Sequence, residues 1–499
     1  MYKKIFATLL VITLLWTEAV LPVVAQEPDP GDGQTNYTVQ NLSDTTQASL
    51  SIQFVDRNGK VVASASDTLA PKESKGSSSA GWGTSVPAGF DGSVYFSSSQ
   101  EVAVFAQVRW QNNTLSPSAG RFRTAGAYNY AAFSPIDPGG ITLYYPSLSA
   151  RDGQQFCNIT VQSTGDHSDT IKVKFDVTLY NRDGATAKTL TNQEVNRGAA
   201  KTIVLPNQGL GGNWLGSAVV TSQNTSDLFI GFATCHWTGY STAYSALTES
   251  GGAQTIYVPE ARRRVGPAGF EQFAAILVQN LSTSDPATVT VKWYDRNGNQ
   301  LYSFQQSIPA NSSKGFNTRF PSDVPDHAAL DAALGNAYNG PVIIESSGPN
   351  IAAIVNLQFT ANDGSVGEAA TSYAAATGGS AQIFIPAAFR LHPSTGWKQF
   401  TSLIIQNVGP SACNNFDMEW FERAGASKMK YQDSLPAGVS HGYNTQFRAQ
   451  IPTSADPASL GDDFNGSVIV TSSGCQLIAI HNTLWPDWTD ATTYNGFGK

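Results

Sequence analysis

The sequence predicts an all-β protein of four consecutive antiparallel β-sandwiches, and three observations support this prediction. The chain has 499 residues, of which only 14% are charged, together with 45 Gly and 25 Pro, and this composition argues against a charge-rich helical protein. One pattern of strands and turns recurs four times along the chain. Within each copy, apolar and polar residues alternate over short runs between turn signals, as in half-buried strands.

Residues 1–25 are predicted to be a cleaved secretory signal peptide. Two lysines precede an apolar stretch from Ile5 to Trp16, and the small residues up to Ala25 provide a cleavage site. The alternative is a membrane anchor, but this apolar run is only about a dozen residues long, whereas a span needs about 20. The mature chain is therefore expected to be secreted or held at the cell surface, without a membrane span.

Each copy contains an apolar strand ending in Gln, followed by an alternating strand and a hairpin turn. The first strand ends at Gln40, Gln162, Gln279 and Gln406 in the four copies. The turns are Asp56–Gly59, Asn181–Gly184, Asp295–Gly298 and Glu422–Gly425. Because Asn and Gly readily adopt positive φ, these sequences predict two-residue hairpin connections.

Two further strand patterns complete each copy. An aromatic-x-Gly element opens a strand at Phe90–Gly92, Trp214–Gly216, Tyr338–Gly340 and Phe464–Gly466. A strand centred on Tyr closes the copy, at Tyr130, Tyr244, Tyr373 and Tyr494. The strongest helical pattern is Ala328–Leu334, in a loop of the third copy.

Glycine pairs separate the copies, which we interpret as domains. The pairs are Gly139-Gly140, Gly251-Gly252 and Gly378-Gly379. The predicted β-sandwich domains are 26–139, 140–251, 252–378 and 379–499, each near the common domain size. Since the joints are short and each copy can bury its own core, the sequence predicts a four-domain rod.

An apolar segment ending in Pro follows each glycine pair but is missing from the first copy. It ends at Pro146, Pro259 and Pro386, whereas residues 26–35 are rich in Pro, Gly and Asp. If this segment is the opening strand of a sandwich, the first copy has an uncovered edge. Such an edge exposes backbone donors and acceptors, and we hypothesise that it accepts a strand during assembly.

Roughly seven short strands per copy, with frequent turns and few helices, are typical of immunoglobulin-like sandwiches. The chain resembles secreted bacterial surface proteins built of tandem immunoglobulin-like or fibronectin type III-like sandwiches. This resemblance covers nearly all of the mature chain and rests on structural turns and core positions. It implies an adhesin, a spacer, or an envelope-layer or filament component, and no catalytic residues carry over.

The four cysteines are predicted to form two disulfides, Cys157–Cys235 and Cys413–Cys475, because each pair falls within one copy of an exported chain. Both pairings require the Gln-ending strand and a later strand of the copy to lie antiparallel and close together. The alternative is four buried free thiols.

The sequence predicts no catalytic residue, cofactor or metal site. Its six His residues show no metalloprotease spacing, and no nucleophile elbow or phosphate loop is present. The net charge of -8 argues against a nucleic-acid partner. The run Arg262–Arg264 is interpreted as a solvated turn or an interdomain contact. Calcium bound between domains stays open, as does a weaker glycosidase or protease alternative.

Three tryptophans are candidate ligand-facing residues because they lie outside the recurring core positions: Trp82, Trp397 and Trp488. An exposed Trp can stack on a sugar ring, but loop packing is the favoured explanation for these residues. The function that the sequence favours is a non-catalytic extracellular structural or interaction protein, whose partners are other copies of itself or another cell-surface protein. The alternative is an array of carbohydrate-binding modules.

Overall fold

The computed structural model describes residues 34–111, 125–131, 139–151, 155–237, 240–267, 269–321, 324–359, 369–394, 396–447, 451–452, 454–485 and 491–499. These residues form an all-β protein with five antiparallel sheets of three to nine strands. The predicted signal peptide, residues 1–25, and the candidate Trp488 lie outside them. None of the helices they form is both long enough and apolar enough to cross a membrane.

The first repeat contributes two sheets with the strand orders β3-β2-β5 and β4-β1-β6-β7. Its strands are β1 (Gln34–Asn41), β2 (Ala48–Asp56), β3 (Val61–Leu69), β4 (Ser74–Ser77), β5 (Gly92–Ser98), β6 (Val102–Gln111) and β7 (Ala125–Ala131).

The other three repeats share one strand order, which in the second repeat is β11-β10-β13-β8-β9-β14-β15 with β12 beside β9. The strands of the second repeat are β8 (Thr142–Arg151), β9 (Gln155–Ser163), β10 (Lys172–Asn181), β11 (Thr186–Asn196), β12 (Ala200–Val204), β13 (Asn213–Ser222), β14 (Phe229–Trp237) and β15 (Tyr240–Ser245). Strands β8 and β9 pair over only two residues each, so this hairpin connects the two layers of the repeat. The core cluster between the layers contains residues from both strands.

The third repeat contains the α-helix that the sequence predicts. Its elements are β16 (Thr255–Gly266), β17 (Gly269–Asn280), β18 (Ala287–Tyr294), β19 (Gln300–Ile308), β20 (Ser313–Asn317), α1 (His327–Leu334), β21 (Ala337–Ser346), β22 (Ile351–Phe359) and β23 (Ala369–Ala374). The carboxylate of Asp326 caps α1 by accepting a hydrogen bond from the amide of Ala329 at 2.9 Å.

The fourth repeat ends in a short extra strand that pairs with its opening strand. Its elements are β24 (Gln382–Leu391), β25 (Gln399–Asn407), β26 (Cys413–Glu422), β27 (Ser427–Leu435), β28 (Ser440–Asn444), β29 (Asp463–Ser472), β30 (Leu477–Leu484), β31 (Ala491–Asn495) and β32 (Phe497–Gly498). The apolar segments that end in Pro are therefore parts of strands β8, β16 and β24.

The Asn that follows the recurring Gln in three repeats is a buried structural residue. In the third repeat, the side-chain amide of Asn280 donates to the carbonyls of Asp285 at 2.7 Å and Ile308 at 3.1 Å. Asn41 and Asn407 make the corresponding bonds in the first and fourth repeats. Each Asn thereby fixes the loop after its strand, because a buried amide must find hydrogen-bond partners.

The predicted hairpins are present, but each turn has three residues, so the expectation of two-residue turns is wrong. The amide of Asp56 bonds the carbonyl of Lys60 at 2.9 Å, which leaves residues 57–59 as the loop. Only Gly59 in this loop has a positive φ, +81°, as in a three-residue hairpin that closes on a left-handed Gly. The equivalent backbone bonds join Asn181 to Ala185, Asp295 to Asn299 and Glu422 to Ala426.

The closing strands of the four repeats meet one another in a cycle. Strand β15 contacts β7 and β23, and β31 contacts β23 and β7. Between β15 and β23 the hydroxyl of Thr242 donates to Ser372 at 2.9 Å. Between β23 and β31 the side chain of Asn495 bonds both the amide and the carbonyl of Ala374, at 3.1 and 2.8 Å. The fourth repeat therefore contacts the first, and the chain forms a closed ring of repeats.

The hairpin turn of each repeat lies against the next repeat in the same cyclic order. The contacts are Gly59 against Ser168, Gly184 against Pro309, Gly298 against Val439, and Gly425 against Pro71. The joints are also packed: Gly140 exchanges two backbone hydrogen bonds of 2.9 Å with Phe229. The predicted four-domain rod is thus wrong, because outer faces that a rod would leave exposed are buried between repeats.

Candidate functional site

Two equivalent turns present a phenylalanine to solvent, one in the third repeat and one in the fourth. In the third repeat, Asn317 ends β20, and its side-chain oxygen accepts from the amides of Arg319 at 2.7 Å and Phe320 at 3.1 Å. The hydroxyl of Thr318 donates to the carbonyl of Arg262 at 2.8 Å. These bonds hold the turn rigidly, and Phe320 remains 50% exposed.

The fourth repeat builds the same turn from the same residue types. Asn444 ends β28 and accepts from the amides of Gln446 at 2.8 Å and Phe447 at 3.2 Å, while the hydroxyl of Thr445 donates to the carbonyl of Phe389 at 2.8 Å. Phe447 is 48% exposed. Large exposed apolar side chains are uncommon in the described part of this chain. Two of them occupy equivalent positions in two repeats, which indicates a specific surface rather than chance exposure.

In the third repeat, the exposed ring belongs to an aromatic cluster around a cation. The guanidinium carbon of Arg319 lies 5.4, 5.0 and 5.0 Å from the ring centres of Phe270, Phe273 and Phe320. Phe273 and Phe320 meet edge to face at 6.0 Å. Each ring can attract the cation through its π face.

The corresponding cluster of the fourth repeat contains the candidate Trp397. Phe447 packs on Phe400 at 6.3 Å, and Phe400 packs on Trp397 at 6.0 Å. The ring of Trp397 also contacts His392 at 4.5 Å and the guanidinium of Arg390 at 5.3 Å. Trp397 is half-buried, and its ring contacts three neighbours, Phe400, His392 and Arg390.

The two clusters differ in how their cations are paired. Arg390 forms an ion pair with Asp462 at 2.5 Å, and its hydrogen bond holds the pKa of that carboxyl below its ordinary value. Arg319 has no carboxylate within 4.0 Å among the described residues. The third-repeat cluster therefore offers an apolar surface with one positive charge that no carboxylate of the described residues pairs with. We call the clusters around Phe320 and Phe447 the aromatic ends.

Trp82 is a core residue, contrary to its selection as a candidate ligand-facing residue. It is 2% exposed, its indole N–H donates to the carbonyl of Ser77 at 3.1 Å, and its ring packs edge to face on Phe96. Because the indole fills the first repeat's core, it presents no face to a ligand. Loop packing, the competing interpretation, describes Trp82 correctly.

Both predicted disulfides are present. Cys157 and Cys235 are directly opposite each other on the antiparallel strands β9 and β14. Cys413, at the start of β26, is bonded to Cys475 in the turn between β29 and β30. Two disulfides fit an oxidising compartment, in agreement with the coarse prediction of an extracytoplasmic protein.

A buried ionic cluster lies where the third repeat meets the fourth. Glu260 is fully buried and accepts from Arg262 at 2.8 Å and Arg296 at 3.4 Å. The amide of Asn482, in the fourth repeat, donates to the other carboxylate oxygen at 3.1 Å. Arg262, from the basic run that the sequence singled out, therefore belongs to an interrepeat contact rather than to a solvated turn.

Two histidines are buried in uncharged surroundings. Burial lowers the pKa of His236 to about 3 and that of His481 to about 3. His236 contacts the hydroxyl of Ser241 at 2.8 Å, and His481 contacts that of Thr401 at 3.0 Å. Both side chains are neutral at pH 7 and serve as packing residues.

An open groove of about 480 Å³ lies between the first and second repeats, beneath the turn that carries Arg57. Most of its charges neutralise one another: Arg57 pairs with Asp91 at 2.7 Å, and Lys172 pairs with Glu194 at 3.0 Å. Among the described residues, no group of three or more His, Cys, Asp or Glu side chains could hold a metal ion.

The aromatic ends were missed in the sequence, although a signal was available. The four-residue pattern Asn-Thr-x-Phe occurs at Asn317–Phe320 and Asn444–Phe447. Each Phe follows its repeat's Gln by the same interval, since 320 − 279 = 41 and 447 − 406 = 41. An apolar residue that recurs directly after a polar turn is thus the sequence signal of these exposed rings.

No family model matches the chain, and no curated protein matches it. Among solved structures, the chain is similar to the crystal structure of Thermotoga maritima 1070, at 13% identity over 24% of this chain and 96% of that chain, with a TM-score of 0.19. It is also similar to a glycoside hydrolase family 32 structure from Bifidobacterium adolescentis, at 9% identity over 94% and 95% of the two chains, with a TM-score of 0.14. Neither similarity supports a conclusion about the function of this chain.

Proposed function

We propose that this chain is an exported, non-catalytic interaction protein of the cell surface, which binds a partner through its aromatic ends. The observation that carries the proposal is the pair of exposed rings, Phe320 and Phe447, held by identical turns. A rigidly held aromatic residue at a surface is a typical anchor of protein interfaces, because it loses little conformational entropy on binding.

The strand order of the repeats also supports this function, because it shares part of the order of immunoglobulin sandwiches. In the second repeat, β10 pairs with β13 and β12 pairs with β9, which corresponds to the C–F and B–E pairs of an immunoglobulin domain. The order departs from that pattern because β14 lies beside β9 rather than beside β13. A closed set of four such domains, 26–139, 140–251, 252–378 and 379–499, would hold the two aromatic ends at a fixed separation.

The charge pattern favours a protein partner that presents a carboxylate next to an apolar side chain. Arg319 is surrounded by three phenylalanine rings and has no acidic neighbour within 4.0 Å among the described residues. A carboxylate of the partner could pair with this guanidinium in surroundings from which water is partly excluded, where the attraction is stronger than in bulk water.

The test is binding of fluorescently labelled protein to intact cells of the producing organism. The comparison is made at the protein concentration that half-saturates the cells with the wild-type chain. At that concentration, we expect Phe320→Ser and Phe447→Ser each to reduce the bound fluorescence by about tenfold or more, as truncation of an interface anchor does. The matched control is Ile171→Ser, because Ile171 is 45% exposed but lies in the second repeat, away from the aromatic ends. Equal binding by the control and the Phe variants would contradict the proposal.

Carbohydrate binding is the second candidate, and the half-buried Trp397 beside His392 and Arg390 favours it. Protease treatment of the cells separates the two functions, because it removes a protein partner and leaves most glycans in place. Loss of binding after protease treatment supports the protein partner. Loss after periodate oxidation, together with loss in Trp397→Ala, supports the glycan.

A further inference from the structure

The aromatic end of the third repeat is a series of contacts that begins at a guanidinium and ends at the exposed ring. The guanidinium carbon of Arg263 lies 5.4 Å from the ring centre of Phe270, and Asp331 pairs with this Arg at 2.9 Å. Phe270 meets Phe273 edge to face at 6.3 Å. Phe273 is 3% exposed and meets Phe320 edge to face at 6.0 Å. The exposed ring therefore rests on a buried one.

The fourth repeat contains the same series of contacts. The guanidinium carbon of Arg390 lies 5.3 Å from the ring centre of Trp397, and Asp462 pairs with this Arg at 2.5 Å. Phe400, which is also 3% exposed, meets Trp397 edge to face at 6.0 Å and Phe447 edge to face at 6.3 Å. The two aromatic ends are therefore two copies of one arrangement, in which a Trp replaces the first Phe.

The second repeat has other residues at the equivalent positions. The position of Arg263, opposite a Phe of the hairpin, is Ala150 in the second repeat. The position of Phe320 is Asn207, since each lies three residues after the residue that pairs four places before the recurring Gln. Asn207 is exposed and carries no ring. It therefore provides a matched control position for the exposed phenylalanines.

One sheet of each repeat forms a wall against the preceding repeat: β20-β17-β22-β23 in the third repeat and β28-β25-β30-β31 in the fourth. Ile404 of the fourth-repeat wall belongs to the core cluster of the third repeat, and the adjacent Leu403 belongs to that of the fourth. In the third-repeat wall, Ile354 belongs to the cluster of the second repeat and Val355 to that of the third. Each wall thus separates two successive cores.

The strands of each wall run along the axis of the ring. The closing strands meet one another in a cycle, which places them around the axis. Strands β23 and β31 are the inner edges of their walls, and β20 and β28 are the outer edges. The order of strands therefore runs outward from the axis, and the strands themselves lie across that direction. Their ends consequently point to the two faces of the ring.

Both aromatic ends lie on the same face of the ring. The exposed rings follow the equivalent strands β20 and β28 at the same end of each wall. Successive repeats are related by one recurring step, because Arg296 contacts Ser440 between the third and fourth repeats and Arg423 contacts Ser74 between the fourth and first. A ring that closes by repeating one rotation keeps equivalent positions at one height along its axis.

We propose that both aromatic ends contact one partner at the same time, so that the ring binds face-on. This inference rests on the proposed function, because it requires that Phe320 and Phe447 bind a partner. The partner that fits is a cell-surface protein array that presents one apolar determinant repeatedly, rather than a short peptide. Two contacts on one ring act at a high effective concentration, and their joint affinity exceeds that of one contact by about 100-fold to 10,000-fold.

Titration of the labelled protein on intact cells of the producing organism tests simultaneous contact. Phe320→Ser and Phe447→Ser should each raise the apparent Kd by about 100-fold or more, because each variant keeps a single contact. The double variant should lose binding. Asn207→Ser, the matched control, should bind like the wild-type protein, and equal melting temperatures show that all variants are folded.

Two other results of this titration have distinct meanings. Single variants that keep the wild-type Kd and lose about half of the bound fluorescence would show that the two ends bind independently, which overturns the inference and leaves the proposed function in place. Phe variants that bind like Asn207→Ser would contradict the proposed function itself.

A second experiment tests the face-on orientation without altering the aromatic ends. Ala328 and Asn350 are both exposed. Ala328 lies on α1, which reaches the aromatic end through Asp331, whereas Asn350 precedes β22 at the opposite end of the wall. Because all four native cysteines are paired, a Cys introduced at either position can be labelled selectively with a long polyethylene glycol chain.

The labelled Ala328→Cys protein should lose binding to the cells, because the polymer covers the face that carries both exposed rings. The labelled Asn350→Cys protein should bind like the wild-type protein, since its polymer leaves the opposite face. Each unlabelled Cys variant serves as the control for its substitution. Equal binding by the two labelled proteins would overturn the inference.

Discussion

Phe105 of the first repeat stacks on Tyr494 of the fourth repeat, with the ring centres 4.4 Å apart and the ring planes within 11°. Phe105 lies on β6, and Tyr494 lies on the closing strand β31. Phe105 also belongs to the core cluster of the fourth repeat rather than to that of the first. The contact between the first and fourth repeats thus places a first-repeat ring inside the core of the fourth repeat.

Removing this ring should weaken the closure. We expect Phe105→Ala to lower the free energy of unfolding by about 3–5 kcal/mol, the usual loss for a buried Phe, and to increase the radius of gyration in small-angle scattering. The control is Phe54→Ala, because Phe54 is 2% exposed within the first repeat's own core. It should destabilise the chain without expanding it. Expansion in both variants would argue against a specific role of Phe105.

The contact between the third and fourth repeats should depend on the buried charge of Glu260. We expect Glu260→Ala to cost about 3–5 kcal/mol of unfolding free energy, since it leaves Arg262 and Arg296 without their carboxylate. The control is Glu345→Ala, which removes the largely solvated ion pair with Lys292 and should cost at most about 1 kcal/mol. Urea unfolding measures both values, and similar losses would contradict the argument.

The buried histidines should make the fold acid-sensitive. Below about pH 6.5 the unfolded chain protonates His236 and His481, whereas the folded chain does not until about pH 3. The unfolded state then binds more protons, so stability is full above pH 6.5 and falls as the pH decreases. Each histidine contributes a slope of up to about 1.4 kcal/mol per pH unit within this window.

His481→Val tests this slope, because Val355 occupies the equivalent register position in the third repeat. The variant should lose about one histidine's share of the pH dependence of unfolding. His481→Gln, which keeps a polar side chain but does not titrate in this range, should show the same reduced slope even if its stability at pH 7 differs. Slopes unchanged from the wild-type protein would exclude protonation of His481 as a source of the acid sensitivity.

The disulfides should stabilise the second and fourth repeats. They close loops of 78 and 62 residues, for which the loss of chain entropy in the unfolded state predicts about 4 kcal/mol each. The double variants Cys157→Ala with Cys235→Ala, and Cys413→Ala with Cys475→Ala, should each lower the urea midpoint. Treating these variants with a reducing agent should then remove only the contribution of the remaining bond, which provides an internal control.

The local features of this protein could be predicted from its sequence, because they depend on residues close together in the chain. Alternation in runs such as Ala287–Tyr294 identified strands, and the turn at Asp295–Gly298 identified the hairpin that follows. The cysteine positions required β9 and β14 to be antiparallel neighbours, which they are.

The features that were wrong or missed depend on contacts between distant segments. Nothing in the sequence around Gly425 indicates that this turn lies against Pro71, so short joints suggested a rod. Trp82 resembled a loop residue because it lies outside the strands and its core contacts, such as Phe96, come from strand β5. The exposure of Phe320 could not be read from composition, since an apolar residue after a turn is usually covered by its neighbours.

The contact between Arg423 and Ser74 joins residues that are 349 positions apart. At synthesis rates of about 5–20 residues per second, Ser74 is made roughly 20–70 s before Arg423. During that time, the face of the first repeat that receives the last turn has no partner. Closure of the ring therefore cannot begin before the fourth repeat has been made, and a chain truncated before that repeat would leave exposed the surface of the first repeat that Arg423 contacts.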